Sequence, residues 1–188
     1  MNLITDRTQA DVARVRALVS KGWGEMTLSE KNEFLGGLKG AYNATDLNRV
    51  ESAVAYLQGL LLALPDELRE YAVSKDTAWS QLFDVPYDPE EYRDVAVKTD
   101  WIMPDLPQAE DMARYLSNVA LIKTALSAAY PPLPQSMERL TADAANAIER
   151  TLALLGAAIA QQSASSKDAI DRTAAAWYYS GEIQTGEV

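Results

Sequence analysis

Cysteine and histidine are both missing from this sequence of 188 residues. Without a thiol or an imidazole, the chain cannot form zinc fingers, cysteine nucleophiles, histidine-based catalytic triads or histidine metal clusters. A cysteine-free protein folds in reducing and in oxidising surroundings alike, so this absence does not indicate a compartment. The two absences exclude several classes of enzyme and metal-binding protein.

Basic residues and long apolar runs are also scarce. The chain carries 17 lysines and arginines against 27 acidic residues, which gives a net charge of −10. An acidic surface is repelled by phosphate backbones, so we expect no nucleic-acid partner. The longest apolar run, from Leu60 to Leu64, is far shorter than the roughly 20 residues of a membrane span. The N-terminus lacks the apolar core of a signal peptide, which predicts synthesis in the cytoplasm without a leader.

Sequence motifs of catalysis and cofactor binding are absent as well. The chain has no dinucleotide-binding glycine fingerprint, no Walker A loop, no nucleophile elbow, no zinc-protease motif and no EF-hand loop. Acidic residues between positions 84 and 105 could include a catalytic carboxylate pair of the glycosidase type, but a solvated loop surface is the simpler interpretation. We therefore predict no enzyme activity, no cofactor and no metal site.

A repeated helical pattern is the main feature that the chain does have. Three segments carry apolar residues at steps of three, four, three and four, the spacing of a helix packed in a bundle. These residues are Leu47, Val50, Val54, Leu57 and Leu61, then Met112, Tyr115, Val119, Ile122 and Leu126, then Ala145, Ile148, Leu152, Leu155 and Ile159. The length is typical of one domain. The sequence predicts a single all-α domain over residues 1–188, an antiparallel helical bundle of six to eight helices with three long central helices.

Local signals place the ends of several helices. Capping boxes at Thr8 and Thr27 begin the first two helices. The second helix is expected to turn Phe34, Leu35 and Leu38 inward. Pro65 is expected to end the first long helix, although it could itself begin two further turns.

Residues 84–107 form a long stretch without a helical pattern. The stretch holds four of the eight prolines in the chain, and residues 92–101 alternate partly at period two, which would suit a short strand. Long irregular stretches are usually functional segments or linkers. We predict a Pro-rich irregular segment between the first and second long helices.

Aromatic residues in and just before this segment allow two interpretations. Flat rings beside hydrogen-bonding acids suit a carbohydrate-binding surface, and they equally suit a loop that is packed onto a bundle. The candidate glycan or partner surface consists of Trp79, Tyr87, Tyr92 and Trp101. The residues alone leave both interpretations open.

A second aromatic cluster lies near the C-terminus. We expect a last helix to begin near Ser165 and an extended tail over residues 178–188, since turn-forming glycines follow the aromatic residues. Aromatic clusters of this kind are enriched at interfaces. Trp177, Tyr178 and Tyr179 are therefore a candidate subunit interface, with docking onto their own bundle as the alternative.

Two of the long segments share a short motif at the same point of the apolar pattern. Asn48-Arg49-Val50-Glu51 and Asn146-Ala147-Ile148-Glu149 both place an asparagine three residues before a glutamate. Any bundle helix shows the same apolar steps, so coincidence and internal duplication both remain possible.

Five stretches, taken together, resemble segments of tail-region proteins encoded in prophages of gut-type Gram-positive bacteria. They are TDRTQADVARVRAL, KGAYNATDLNRVESAVAYL, KTDWIMPDLPQAEDMARYLSNVALI, LPQSMERLTADAANAIERTL and WYYSGEIQTGEV. Order and approximate spacing also match, and the stretches cover most of the chain. The most specific are YNATDLNRV, residues 42–50, and the stretch from Trp101 to Leu116.

This resemblance implies a non-enzymatic virion component, a tail or baseplate structural or adaptor module that is made in the bacterial cytoplasm. Its expected partners are other phage structural proteins or further copies of itself. A cell-surface glycan-binding module of a phage tail is the alternative. The resemblance identifies no catalytic residue, and the chain lacks the repeated β modules and coiled-coil shaft of longer relatives, so fibre and small adaptor both remain possible.

Overall fold

The computed structural model describes residues 1–78, 83–102 and 104–184, and these residues form five α-helices and no strand. The helices are α1 (Gln9–Lys21), α2 (Leu28–Leu35), α3 (Ala44–Ser74), α4 (Ala109–Ile122) and α5 (Ala142–Gln184), with short 3-10 turns at Trp23–Glu25 and Pro89–Tyr92. Within these ranges the all-α prediction is confirmed, and the suggested strand over residues 92–101 does not form. None of the helices in the described ranges is both long and apolar enough to cross a membrane.

The apolar pattern of the two longest helices forms the centre of the core. All ten predicted positions on α3 and α5 are buried: Leu47, Val50, Val54, Leu57 and Leu61 on α3, and Ala145, Ile148, Leu152, Leu155 and Ile159 on α5. The cap of α3 is reciprocal, because the Asn43 side chain accepts the Thr45 N–H at 2.9 Å and the Asp46 carboxylate accepts the Asn43 N–H at 3.0 Å. The spacing therefore predicted the buried face, and the reciprocal cap fixes the start of α3.

Helix α3 continues through Pro65, where the sequence predicted its end. A proline has no N–H, so the carbonyl four residues earlier, that of Leu61, loses its usual donor. The Tyr87 hydroxyl takes this place and donates to the Leu61 carbonyl at 2.9 Å. Pro65 is itself buried. The helix tolerates the proline because a side chain from another segment satisfies the carbonyl that the proline leaves unpaired.

Helix α5 is one continuous helix, where the sequence predicted a break near residue 165 and an extended tail from residue 178. The Thr141 hydroxyl accepts the Ala144 N–H at 3.1 Å at its start. No glycine or proline occurs between Ala157 and Ser180, so nothing in this stretch interrupts the helix. The tail prediction is wrong for residues 178–184, which are helical. The part of the prediction that falls on residues 185–188 lies outside the described residues.

The two long helices run parallel. Near their N-terminal ends, the Arg49 guanidinium of α3 donates to the Glu149 carboxylate of α5 at 2.7 Å. Near the other end, the Tyr71 hydroxyl donates to the Asp171 carboxylate at 3.0 Å. Both pairs are separated by 100 residues, so the helices keep one register along this length. The antiparallel prediction is wrong for α3 and α5, because the long connection over residues 75–141 returns the chain to the starting end.

Helix α4 is shorter than predicted, with 14 residues, and it contacts both long helices. Its Tyr115, Val119 and Ile122 side chains are buried and Met112 is partly buried. The chain leaves the helix in a turn in which the Thr124 hydroxyl donates to the carbonyl of Leu121 at 2.6 Å. The structure thus has two long central helices and a short one.

Helices α1 and α2 lie at the periphery. Their capping boxes form as predicted. No residue of α2 is buried, and Leu35 is 70% exposed, so the inward orientation predicted for Leu35 is wrong. Gly40 lies against α1, where a Cβ atom would overlap the Asp11 carbonyl. The approach of this loop to the α1 backbone therefore requires glycine.

Candidate functional site

Asn48 and Glu51, one turn apart on α3, hold the backbone of the segment that precedes α4. The Asn48 side chain accepts the Trp101 N–H at 2.7 Å and donates to the Trp101 carbonyl at 2.8 Å. Glu51 accepts the N–H of Lys98. The N–H and C=O of one residue point to the same side in extended backbone, so this segment is extended at Trp101. We call residues 95–102 the second arm and the Asn–Glu pair the α3 clamp.

Asn146 and Glu149 on α5 do the same for the segment that precedes α1. The Asn146 side chain accepts the Arg7 N–H at 2.9 Å and donates to the Arg7 carbonyl at 2.8 Å. Glu149 accepts the Ile4 N–H at 2.6 Å. We call residues 1–8 the first arm and this pair the α5 clamp. Each long helix therefore binds an arm that lies far from it in the sequence.

The two clamps have the same spacing. In each, the glutamate binds an N–H that lies three residues before the residue held by the asparagine. The arms also share a dipeptide, since Thr5-Asp6 precedes Arg7 and Thr99-Asp100 precedes Trp101. The Asn-x-x-Glu repeat thus has a structural counterpart in both halves of the chain. The shared Thr-Asp pairs are a signal that the sequence interpretation missed.

The α5 clamp lies in a buried cluster of four charged side chains. Arg7 donates to Asp46 and Glu149, each at 2.7 Å, and Arg49 bonds the same two carboxylates. The Arg7 and Glu149 side chains are 2% and 0% exposed. Burial opposes the charged form of Arg49, but its hydrogen bonds to Glu149 and Asp46 outweigh burial and raise its pKa. Two positive and two negative groups make the cluster neutral, which is the condition under which charges are tolerated inside a protein.

The α3 clamp is neutralised by one arginine from α4. Arg114 donates to both carboxylate oxygens of Glu51, at 2.9 and 3.0 Å, and this hydrogen bonding raises its pKa. Arg114 and Asn118 each donate to the Ala96 carbonyl at 2.7 Å. The clamp carboxylates therefore accept hydrogen bonds from arginines and backbone N–H groups, and their role is structural.

The residue that each asparagine holds by its backbone is Arg7 in the first arm and Trp101 in the second, and each side chain matches its surroundings. The Arg7 guanidinium reaches the two carboxylates and lies 5.4 Å from the centre of the Tyr42 ring. Trp101 instead joins the apolar core. Arg7 Nε and Trp101 Nε1 are both buried and have no hydrogen-bond partner among the described residues. The α5 clamp therefore holds a charged residue, which pairs with buried carboxylates. The α3 clamp holds an apolar residue, which packs in the core.

Two tyrosine hydroxyls connect the loop that precedes α3 to α4. The hydroxyl of Tyr42 hydrogen-bonds that of Tyr115. Burial raises the pKa of both tyrosines, so both stay neutral across the physiological range. This contact is a buried structural link between two neutral side chains.

The aromatic residues predicted as a glycan or partner surface are mostly buried. Tyr92 is 1% and Trp101 is 5% exposed, and both belong to the core. Tyr87 is partly buried, packs edge to face on Tyr92 at 5.7 Å between ring centres, and donates to α3. Trp79 lies outside the described residues. Tyr92 and Trp101 therefore pack the segment onto the bundle, because a buried ring has no face that a sugar could contact.

The second aromatic cluster is exposed. Trp177 is 71% and Tyr178 is 68% exposed on α5, and the Tyr179 side chain lies outside the described residues. The backbone there is helical. Exposure is not itself a contact with another subunit, so the interface stays a prediction.

Within the described ranges, no group of three or more acidic residues is arranged to hold a metal ion. No protein-family model, curated protein or solved structure matches the chain.

Proposed function

We propose that the chain is a non-enzymatic component of a phage or prophage virion, a tail or baseplate structural or adaptor module that acts through protein–protein contacts. The observation that carries this proposal is the C-terminal part of α5. The Lys75 ammonium, just after the end of α3, pairs with Asp171 at 3.3 Å. Helix α5 continues from there to Gln184, about 20 Å further along its axis, and exposes Trp177 and Tyr178.

The composition of this stretch suits a contact surface. Residues 173–181 contain no charged side chain, in a chain that is 23% charged. Interface cores are depleted in charge and enriched in aromatic residues, which bury a large area at low entropic cost. Trp177 lies seven residues after the buried Ile170, so it continues the face of α5 that packs in the core. A second protein can therefore extend that packing.

The clamp geometry supports a structural role for the acidic residues. Asp46, Glu51 and Glu149 are buried and bound by arginines, and the two clamp glutamates also bind backbone N–H groups. The resemblance to prophage tail-region proteins supplies the virion setting. The glycan-binding alternative has less support, because Tyr92 and Trp101 of its candidate surface are buried.

Replacement of Trp177 by lysine tests the proposal. A charge at the centre of an apolar contact must be desolvated, so Trp177→Lys should weaken assembly by at least about tenfold, which corresponds to about 1.4 kcal/mol. Light scattering against protein concentration, alone and with the neighbouring virion proteins, measures this change. The melting temperature should stay close to that of the unchanged chain.

Leu35→Lys is the matched control, because Leu35 is 70% exposed and ends α2, where a lysine suits the helix dipole. It should leave assembly unchanged. If both variants assemble like the unchanged chain, the C-terminal contact surface does not exist and the proposal loses its main support.

A further inference from the structure

A groove between α3 and α5 is open on the side of the first arm, whereas another segment of the chain covers the opposite side of α3. The groove has a volume of 610 Å³ and is lined by apolar side chains of both helices and by the start of the first arm. Leu60, Leu64 and Ile159 lie along it. On the opposite side, residues 83–94, which we call the covering segment, lie on α3 ahead of the second arm.

The clamps define which positions correspond. Asn48 and Asn146, the asparagines of the two clamps, are 98 residues apart. By the same separation, Gln58 corresponds to Gly156 and Leu61 corresponds to Ile159. Gln58 and Leu61 are the α3 residues that bind the covering segment. Gly156 and Ile159 both line the open groove. The open groove is therefore the position that a second covering segment would occupy.

The contacts on the covered side show what such a segment provides. The Gln58 amide donates to the carbonyls of Tyr92 and Arg93, at 2.8 and 3.0 Å. Tyr87 reaches the Leu61 carbonyl, and its ring packs edge to face on Tyr92. The covering segment thus combines backbone contacts with two aromatic rings that fill the space beside the helices.

The first arm enters its groove as the second arm does. By the spacing of the clamps, Met1 and Leu3 correspond to Val95 and Val97. Leu3 and Val97 are both partly buried against the core, and Val95 is buried. Beyond Met1 the groove continues along Leu60 and Leu64, and Met1 remains 57% exposed. The part of the groove that corresponds to the covering segment is the part that stays open.

We propose that this groove binds an irregular, aromatic segment of a different polypeptide, in the way that residues 83–94 cover the opposite side. Among the residues that line it, only Glu67 is charged, so aromatic and apolar side chains suit it best. A second copy of the chain does not supply this segment, because its own covering segment is held internally and its exposed Trp177 and Tyr178 lie on a helix. The inference rests on the proposed adaptor role but uses a separate surface.

A peptide that corresponds to residues 83–94 of this chain serves as the probe, labelled for fluorescence anisotropy and added to the full chain. We expect saturable binding. Ala157 is exposed within the groove, and Ala157→Trp should fill it and weaken binding by at least about tenfold. Ala160→Trp, also in the groove, replaces it if Ala157→Trp lowers the melting temperature.

Ser165→Trp, at an exposed α5 position outside the groove, should bind the peptide as the unchanged chain does. Gln58→Ala should also leave binding unchanged, because Gln58 belongs to the covered side. The proposal is overturned if the peptide does not bind, if Ala157→Trp and Ala160→Trp have no effect, or if Gln58→Ala abolishes binding. It is equally overturned if the groove variants dissociate a homo-oligomer, since a second copy then fills the groove. The two proposals can fail separately. If the peptide does not bind but assembly still depends on Trp177, the groove proposal is wrong and the proposed function stands.

Discussion

Glu149 is a buried charged side chain that joins three parts of the chain. Its carboxylate accepts from the backbone of Ile4 and from the side chains of Arg7 and Arg49. These groups come from the first arm and from α3, while Glu149 itself is on α5. A buried pair of charges adds little stability over an apolar pair, but removing one member leaves the other without compensation. Glu149 therefore matters mainly because its loss removes a carboxylate partner from both Arg7 and Arg49.

Replacement of Glu149 by glutamine should lower the free energy of unfolding by about 3–5 kcal/mol. The amide keeps the shape of the side chain but leaves Arg7, which is nearly fully buried, with one carboxylate in place of two. Denaturant unfolding measures the loss from the shift in midpoint and slope.

Glu33→Gln provides the comparison at the surface. Glu33 bonds Arg14 at 2.6 Å, but both side chains are 40% or more exposed, so solvent screens the pair and its loss should change stability little. If Glu149→Gln lowers the free energy of unfolding by less than about 1 kcal/mol, the buried cluster is not intact in solution.

At the scale of a helix, Pro65 and Tyr87 form one unit. The proline removes a donor from α3, and the tyrosine hydroxyl supplies one to the Leu61 carbonyl. Burial raises the pKa of Tyr87, so the hydroxyl stays protonated and can donate throughout the neutral range. The covering segment is thereby tied to the position where α3 has an unpaired carbonyl.

Tyr87→Phe should cost about 1–3 kcal/mol of stability, the penalty of leaving a buried carbonyl unpaired. In a Pro65→Ala background the N–H of residue 65 can bond the Leu61 carbonyl, so the same substitution should cost at least about 1 kcal/mol less. A double-mutant cycle in urea measures this coupling.

Tyr130→Phe is the control, because its hydroxyl also donates to a backbone carbonyl, that of Leu126 at 2.7 Å, but far from Pro65. Its coupling to Pro65→Ala should be below about 0.5 kcal/mol. Equal costs of Tyr87→Phe in the two backgrounds would disprove the link between the proline and the tyrosine.

The helices were predictable where local signals decide them. Caps at Thr8, Thr27 and Asn43 and the apolar steps of α3 and α5 are encoded within a few residues of each feature. The passage of α3 through Pro65 depends on Tyr87, which is 22 positions away and outside any local pattern. The aromatic residues were ambiguous for the same reason, since a tyrosine that packs and a tyrosine that binds a sugar look alike until their neighbours are known.

At the scale of the whole molecule, the chain consists of two similar halves that complete each other. Each half has an arm, then one or two shorter helices (α1 and α2 in the first half, α4 in the second) and a long helix. Each long helix holds the arm of the other half. The long connection over residues 75–141 carries the second arm to the α3 clamp and returns the chain to the starting end of α3, so α3 and α5 run parallel. The repeat motif in the sequence indicated the clamps, but only the structure showed which arm each clamp holds.

The parallel course can be checked with pairs of spin labels, since the chain has no native cysteine. Labels at Val73→Cys and Arg172→Cys should lie within about 25 Å of each other, because Tyr71 at the end of α3 contacts Asp171 of α5. Labels at Val73→Cys and Asp143→Cys should lie about 40 Å apart, close to the length of α3. An antiparallel pair of helices would give the reverse order of distances.

The pairing of the first arm with α5 also has a consequence for the order of events during synthesis. Ile4 and Glu149 are 145 residues apart, so the arm leaves the ribosome long before the helix that holds it. At about 5–20 residues per second, the delay is roughly 7–30 s. During that interval Arg7 and the backbone beside it remain in water, without the carboxylate and amide of α5. The residues of the first arm are thus made well before the helix that fixes their final positions.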